Sequence, residues 1–341
     1  MILHDDRQKL ALADFGILIP VADTRASKTF EALKEHPLLK AHVARWHRRP
    51  AGETLTRQDL ERVHAPQYVA RLFSDAVEQE LIETYELISA AGRYNRYDPS
   101  SARLPLRQLF VRILQRAAAT VLCCRNALGT GFCFSFSGGM HHALRDRGRG
   151  FCPVNDIVVA VRKLQAEGEI SSAWVIDTDA HKGDGTAALT AGDDTIRTLS
   201  IHMARGWPLD EAPRDATGRL KPSFVPSDID IPVGPGEEGR YLARLQDGLQ
   251  RLSRFAPPDL AVVVYGADPY EKDQLASTRE LKLTLGQMMD RDLAVYRFLQ
   301  AAGIPMAYLM AGGYGPHAWE VYTQFLQAVL PERLQQAGAA I

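Results

Sequence analysis

From residue 106 onward the apolar positions switch between two periods. Leu106, Leu109, Phe110, Ile113, Leu114, Ala117, Ala118, Val121 and Leu122 recur at intervals of three and four, which predicts a long helix with one buried face. Gly129-Thr130-Gly131 resets the chain, and the apolar run at 132–136 reads as a buried strand. Similar patterns predict helices over 154–164, 237–255 and 285–299, and strands over 173–176, 196–201, 260–265 and 305–310. Leu242, Leu245, Leu249 and Leu252 share one face of the 237–255 helix, which Pro257-Pro258-Asp259 ends. Strands alternating with helices predict a three-layer α/β fold, with a mostly parallel central sheet and helices on both faces. The first hundred residues read as mostly helical, over 25–33, 38–46, 57–63 (with Thr56 as N-cap) and 67–78, with a loop at 95–101. Segment 202–228 holds four prolines and no clear period, so it reads as a long loop of the kind that is either functional or disordered. No internal repeat or linker interrupts the chain, so 1–341 reads as one domain.

Composition narrows the function classes. A 46% hydrophobic fraction over 341 residues suffices for a sizeable core. The net charge is −1 and both signs are scattered, with no basic stripe for nucleic acid and no acidic tail. Cys123, Cys124, Cys133 and Cys152 show no C-x-x-C spacing and read as reduced thiols. The N-terminus carries early charge instead of an apolar leader, and no run reaches the roughly 18 apolar residues of a membrane span. A soluble, cytoplasmic protein with no membrane partner is expected.

The candidate chemistry sits where strands end. After the 173–176 strand, Asp177, Asp179 and His181 fall at i, i+2 and i+4, and would leave one face if the backbone stayed extended. Oxygen and imidazole groups without thiolate suit Zn²⁺, Fe²⁺ or Mn²⁺, although a solvated Asp-rich turn has the same spelling. Gly138-Gly139 precedes His141-His142, Gly266-Ala267 precedes Asp268, and Ala311-Gly312-Gly313 precedes Tyr314. Each ending alone can be a turn, but four at the carboxyl edge of a parallel sheet point to a site. His36, His42, His47 and His64 are scattered singly and read as surface or satisfied core residues.

The motifs Gly138-Gly-Met-His-His-Ala, Gly150-Phe-Cys-Pro-Val-Asn-Asp, Asp177-Thr-Asp-Ala-His-Lys-Gly-Asp-Gly-Thr, Gly266-Ala-Asp-Pro and Ala311-Gly-Gly-Tyr resemble those of the histone deacetylase family of metal-dependent amidohydrolases. The likeness runs from about residue 103 to the C-terminus and is nearest to the class IV branch and its bacterial relatives. It implies the arginase/deacetylase fold, and one catalytic Zn²⁺ (or Fe²⁺) on Asp179, His181 and Asp268. It further implies that His142 works as general base and then acid, and that His141 gives electrostatic support. Asp177 would orient His141, Asp184 would orient His142, and Tyr314 would donate to the carbonyl oxygen. Gly150, Phe151, Trp207 and Leu275 would line a tunnel for an acylated lysine stem. A structural K⁺ would sit near Asp177, Asp179, His181 and Ser200.

Two departures stand out. Lys182 occupies a position where the best-known members have a second histidine, so it places a cation near the metal shell, and the tyrosine motif has a short glycine run. The expected activity is hydrolysis of an acyl-lysine, in a peptide or protein, or of a related acyl-amine. Acetylpolyamines and small acetylated metabolites are alternatives, as is a non-enzymatic, metal-dependent acyl-ligand sensor or scaffold. An arginase-like ureohydrolase shares the Asp-Ala-His element, but Asp268 is followed by Pro269-Tyr270 without the further aspartates of a binuclear site. Oligomeric state and acyl length stay open.

Overall fold

The structure is a computed structural model that describes residues 1–21, 23–209, 217, 219, 221 and 224–339. Its strands are β1 (Ile2–Leu3), β2 (His47–Arg48), β3 (Phe132–Ser135), β4 (Ala173–Asp177), β5 (Ile196–Met203), β6 (Ile229–Val233), β7 (Leu260–Tyr265) and β8 (Met306–Met310). They form one sheet in the order β2-β1-β3-β8-β7-β4-β5-β6, and every pairing is parallel. The expected sheet is therefore found, and it is parallel throughout the described residues.

Central strands are apolar on both sides because both faces are covered. Along β7, Ala261, Val263 and Tyr265 join one core, while Leu260, Val262 and Val264 join the other. Each fully buried valine or leucine among them contributes about 1.5–3 kcal/mol relative to exposure. One face carries α1 (Thr24–Glu35) and the other carries the short α3 (Arg57–Glu61), α4 (Pro66–Leu72) and α5 (Val77–Thr84), with α2 (Val43–Trp46) beside β2. The second face is completed by α6 (Arg107–Thr130) and α7 (Asp156–Ala166), and α8 (Asp184–Thr190) follows β4. The first face is completed by α9 (Tyr241–Leu252), α10 (Leu285–Ala301) and α11 (Ala318–Ala339).

Several expectations shift for local reasons. The helix expected over 38–46 is a 3₁₀ turn at Lys40–His42 followed by the single turn of α2. The one expected over 67–78 splits into α4 and α5, with the Ser74 hydroxyl donating to Arg71 O and accepting from Ala76 N at the break. Helix α6 runs through Gly129 and stops only at Gly131, whose φ of 75° a side chain would resist. Thr56 caps α3 as expected, in a reciprocal capping box with Asp59. The sequence patterns did not reveal β1, β2, β6 or α11. No helix among the described residues is long and apolar enough to cross a membrane.

Candidate active site

Four strand ends converge at the carboxyl edge of the sheet. Beyond β3 the chain turns through Gly138 (φ 91°) and Gly139 (φ 77°). A Cβ at Gly138 would overlap the Thr120 hydroxyl and lie 2.7 Å from Asp156 Oδ2. Asp156 holds this turn: its carboxylate accepts Gly139 N at 3.1 Å, Met140 N at 2.7 Å and the Thr120 hydroxyl. Asn155 caps α7 by accepting Val158 N at 3.0 Å, while its own N–H donates to His64 Nε2 at 3.0 Å. His64 Nδ1 reaches Leu144 O at 2.8 Å, and burial pushes its pKa down to about 4. This histidine is a satisfied core residue, as expected.

After β4 the backbone does not stay extended. Asp179 N donates to Asp177 Oδ1 and His181 N to Asp179 Oδ1, both at 3.1 Å, so each carboxylate curls the chain behind it. The side chains consequently diverge. Asp177 faces His141, while Asp179 and His181 meet Asp268 from the end of β7, with one ligand atom from each of the three within 4.8 Å of the others. His181 Nδ1 lies 3.2 Å from Asp179 Oδ1 and 3.2 Å from Asp268 Oδ2.

The remaining donors fix this trio in place. Asp179 Oδ2 accepts Gly312 N at 2.9 Å, and Asp268 Oδ1 accepts Ala180 N at 3.0 Å. His181 Nε2 lies 3.0 Å from Ser277 Oγ, which holds the ring with Nδ1 toward the carboxylates. Asp268 Oδ2 is fully buried and receives no hydrogen bond. Burial and the neighbouring Asp179 charge push the Asp268 carboxyl up to about 7. Two buried carboxylates and one imidazole, with an oxygen left over, form a donor set that fits one divalent cation. Among the described residues this is the one such group of three.

Beside the trio, the rings of His141 and His142 lie 3.9 Å apart. His141 Nδ1 is 2.6 Å from Asp177 Oδ2, and His142 Nδ1 is 2.7 Å from Asp184 Oδ1. Burial disfavours charge on both rings, but Asp177 and Asp179 overcome it at His141 and raise its pKa to about 9. At His142 burial is joined by the His141 charge, and the pKa falls to about 3. At neutral pH the pair is therefore one imidazolium and one neutral imidazole. Against its burial, Asp184 is held below the usual carboxylate range by His142 and by Arg149, whose Nη1 donates at 2.8 Å.

Tyr314 arrives from β8. Its N–H donates to Asp273 Oδ2 at 2.7 Å, while Asp273 Oδ1 accepts Leu275 N at 2.9 Å and Thr278 Oγ1 at 3.0 Å. One carboxylate thus ties the tyrosine loop to 275–278. Gly150, Phe151, Trp207 and Leu275 all border one cavity of about 200 Å³, together with His142, His181 and Tyr314. Trp207 stands 4.4 Å from the His142 ring, and Phe151 stacks on Tyr85 at 5.9 Å. Ser200 pairs with Asp177 in register and accepts Gly183 N at 3.5 Å.

Lys182 turns away from this centre. It is buried, with Nζ 2.5 Å from Asp230 Oδ1 and 3.3 Å from Ser227 Oγ. Asp156, Asp273, Ser277 and Arg149 are the site residues that the sequence patterns missed. Asp156 is the last residue of the Gly150–Asp156 motif, where the sequence assigns it no role, Arg149 directly precedes that motif, and Ser277 and Asp273 lie in a loop without period.

The model of the histone deacetylase domain matches residues 19–330. An uncharacterized protein of Picosynechococcus is 29% identical over 255 residues, covering 75% of each chain. Histone deacetylase 2 of Arabidopsis thaliana is 26% identical over 256 residues, 75% of this chain and 60% of that protein. The acetoin utilization protein AcuC of Staphylococcus aureus is 30% identical over 185 residues, 54% of this chain and 46% of that one. The match thus spans less than two thirds of the last two relatives.

Proposed function

The chain belongs to the histone deacetylase family, and on that premise we propose that it is a metal-dependent deacylase of acyl-lysines or related acyl-amines. The observation that carries the reading is the adjacent pair His141 and His142, each with its Nδ1 held on an aspartate, next to a buried O, O, N donor trio. Asp179, His181 and Asp268 would hold Zn²⁺, or Fe²⁺. When bound, such an ion supplies Lewis acidity that lowers the pKa of a water and polarises an amide carbonyl.

The chain's own groups divide the remaining work. His142, aimed by Asp184, takes the proton of the attacking water and returns it to the departing amine. His141, kept charged by Asp177, stabilises negative charge developing nearby. Tyr314 donates its phenolic hydrogen to the carbonyl oxygen as it becomes an oxyanion. Gly150, Phe151, Trp207 and Leu275 enclose the substrate's stem and exclude water. Asp177, Asp179, His181 and Ser200 would hold a structural K⁺ beneath. One sheet runs through the chain, which supports a single catalytic domain over 1–341. Four free, buried cysteines suit a cytoplasmic setting.

The test is hydrolysis of a peptide series from acetyl-lysine to myristoyl-lysine, with acetylpolyamines alongside, after Zn²⁺ reconstitution. Wild type should turn over at least one member, and Asp268→Ala should lose both activity and metal. Stoichiometric metal with no turnover of any member would instead favour a ligand-binding role.

A further inference from the structure

Two cavities meet at His142, His181 and Tyr314. The outer one, about 200 Å³, carries the exposed Glu86 at its rim, and the inner one, about 140 Å³, runs back to the N-terminal segment. His142, Gly150, Phe151, His181 and Tyr314 border both. An amide carbonyl placed against Tyr314 and His142 therefore has its two ends in different cavities. The amine end, which continues into a peptide or polyamine, takes the outer one. The acyl chain points into the inner one, whose chemistry then selects it.

Apolar walls, including Leu12, Ile113 and Met310, lead to two guanidiniums, Arg25 and Arg116. Arg25 Nη1 donates to Gly313 O at 2.9 Å, and Arg116 Nη1 donates to Gln8 O at 3.4 Å. Among the described residues neither guanidinium has a carboxylate partner. Burial and the Arg25 charge push the Arg116 pKa down to about 10. Of the other charged groups bordering the cavity, Asp5 is held by Arg7 at 2.6 Å and Lys9 by Asp6 at 2.9 Å. His4 is pushed toward its neutral form by burial. His141, His181 and Asp179 belong to the site already described, which leaves Asp23, its side chain accepting Ala11 N at 3.3 Å, as the one further carboxylate set against two guanidiniums. Two half-buried cations that share one carboxylate are left with an excess positive charge, and a guanidinium fork matches a carboxylate in shape and charge.

We propose that the inner cavity recognises the far carboxylate of a dicarboxylic acyl group, such as succinyl or glutaryl, carried on the substrate amine. This specificity rests on the deacylase reading. At about 140 Å³ the cavity has room for a chain of several heavy atoms. The reaction is ordinary hydrolysis. Water's oxygen bonds to the acyl carbon, the C–N bond breaks, the nitrogen leaves with both required hydrogens, and the products are a dicarboxylate and the free amine.

The experiment compares glutaryl-lysine with pentanoyl-lysine, and succinyl-lysine with butyryl-lysine, so that length is fixed and only the carboxylate changes. Acetyl-lysine is run alongside, on wild type, Arg116→Gln and Arg116→Lys. The carboxylated member of each pair should have a kcat/KM about 10-fold or more above its neutral partner. Arg116→Gln should abolish that ratio, and Arg116→Lys should restore part of it. Equal rates within a pair, or a ratio untouched in Arg116→Gln, would overturn the proposal. Calorimetric titration with glutarate, pentanoate and acetate adds a readout free of turnover. Glutarate should bind more tightly than the other two, and only through Arg116. Acetate binding as tightly as glutarate would mean that the arginines hold any small carboxylate, and would sink the assignment. Arg116-dependent glutarate binding without hydrolysis of any acyl-lysine would keep the carboxylate site and remove the deacylase reading. Turnover of acetyl-lysine alone would do the reverse.

Discussion

His141 and His142 are chain neighbours with opposite titration, and the cause is which charge each one meets. His141 faces two carboxylates, whereas His142 faces its own imidazolium neighbour as well as Asp184. A base that must be neutral loses activity as pH falls through its pKa, so the depressed pKa of His142 extends activity toward acid. Removing the His141 charge removes one of the causes of that depression, which burial and His181 share. In the residual activity of His141→Asn, the acid limb of kcat/KM should therefore move to higher pH, and an unmoved limb would contradict the assignment. Ser277 acts on His181 from the far side of the ring. Ser277→Ala should lower metal affinity by about 10–100-fold in a chelator competition, with the fold unchanged. Nothing in the sequence marks Ser277, because a serine in an aperiodic loop has no signature until its neighbour is known. His64 carries a stability effect instead. Its folded pKa of about 4 lies below the ordinary value of 6.5, so the unfolded chain binds the proton more readily. That stabilisation is complete above about pH 6.5 and is lost as pH falls toward 4. Between pH 7 and 5 the loss is about 2 kcal/mol. Denaturant midpoints of His64→Gln should accordingly lack that part of the wild-type slope.

At the scale of elements, the strand ends decide where chemistry can sit, and glycines let them approach. A Cβ at Gly312 would overlap Asp179 Oδ2 and lie 2.5 Å from Asp268 Oδ2. Gly312→Ala should thus empty the trio of metal, measured by elemental analysis, while circular dichroism stays that of the wild type. Metal retained at full occupancy would refute this geometry. Strands β3, β4, β7 and β8 were legible because each is a short apolar run closed by glycine or aspartate. By contrast, β1 and β2 are too short at two residues to show a period, and β6, although it alternates Ile229, Ile231 and Val233, carries Pro232, which argues in the sequence against a strand. Helix α11 buries Val321, Tyr322, Phe325, Leu326, Val329 and Leu330 on one face, but Pro331 inside it argues in the sequence against a helix running through. The extended spacing expected of Asp177, Asp179 and His181 failed for a local reason, since each aspartate accepts the amide two residues on and bends the chain. That bend is also what separates the carboxylate that serves His141 from those that face His181.

At the scale of the molecule, a parallel sheet puts all its strand ends on one edge, so residues 130 positions apart in sequence become neighbours. Gly312 N reaching Asp179 Oδ2 is one such contact. The alternation of strands and helices made that edge predictable, while the loops that complete it (Asp273 to Thr278, and the start of the chain along the inner cavity) had to be seen folded. The central claim is that this edge performs metal-assisted amide hydrolysis with Tyr314 as the oxyanion donor. Its most direct test is kcat on the best acyl-lysine peptide for Zn²⁺-loaded wild type and Tyr314→Phe, with metal content measured on the same samples. The account predicts a fall of about 10²–10³-fold in Tyr314→Phe at unchanged metal content. Equal rates in the two proteins would contradict it.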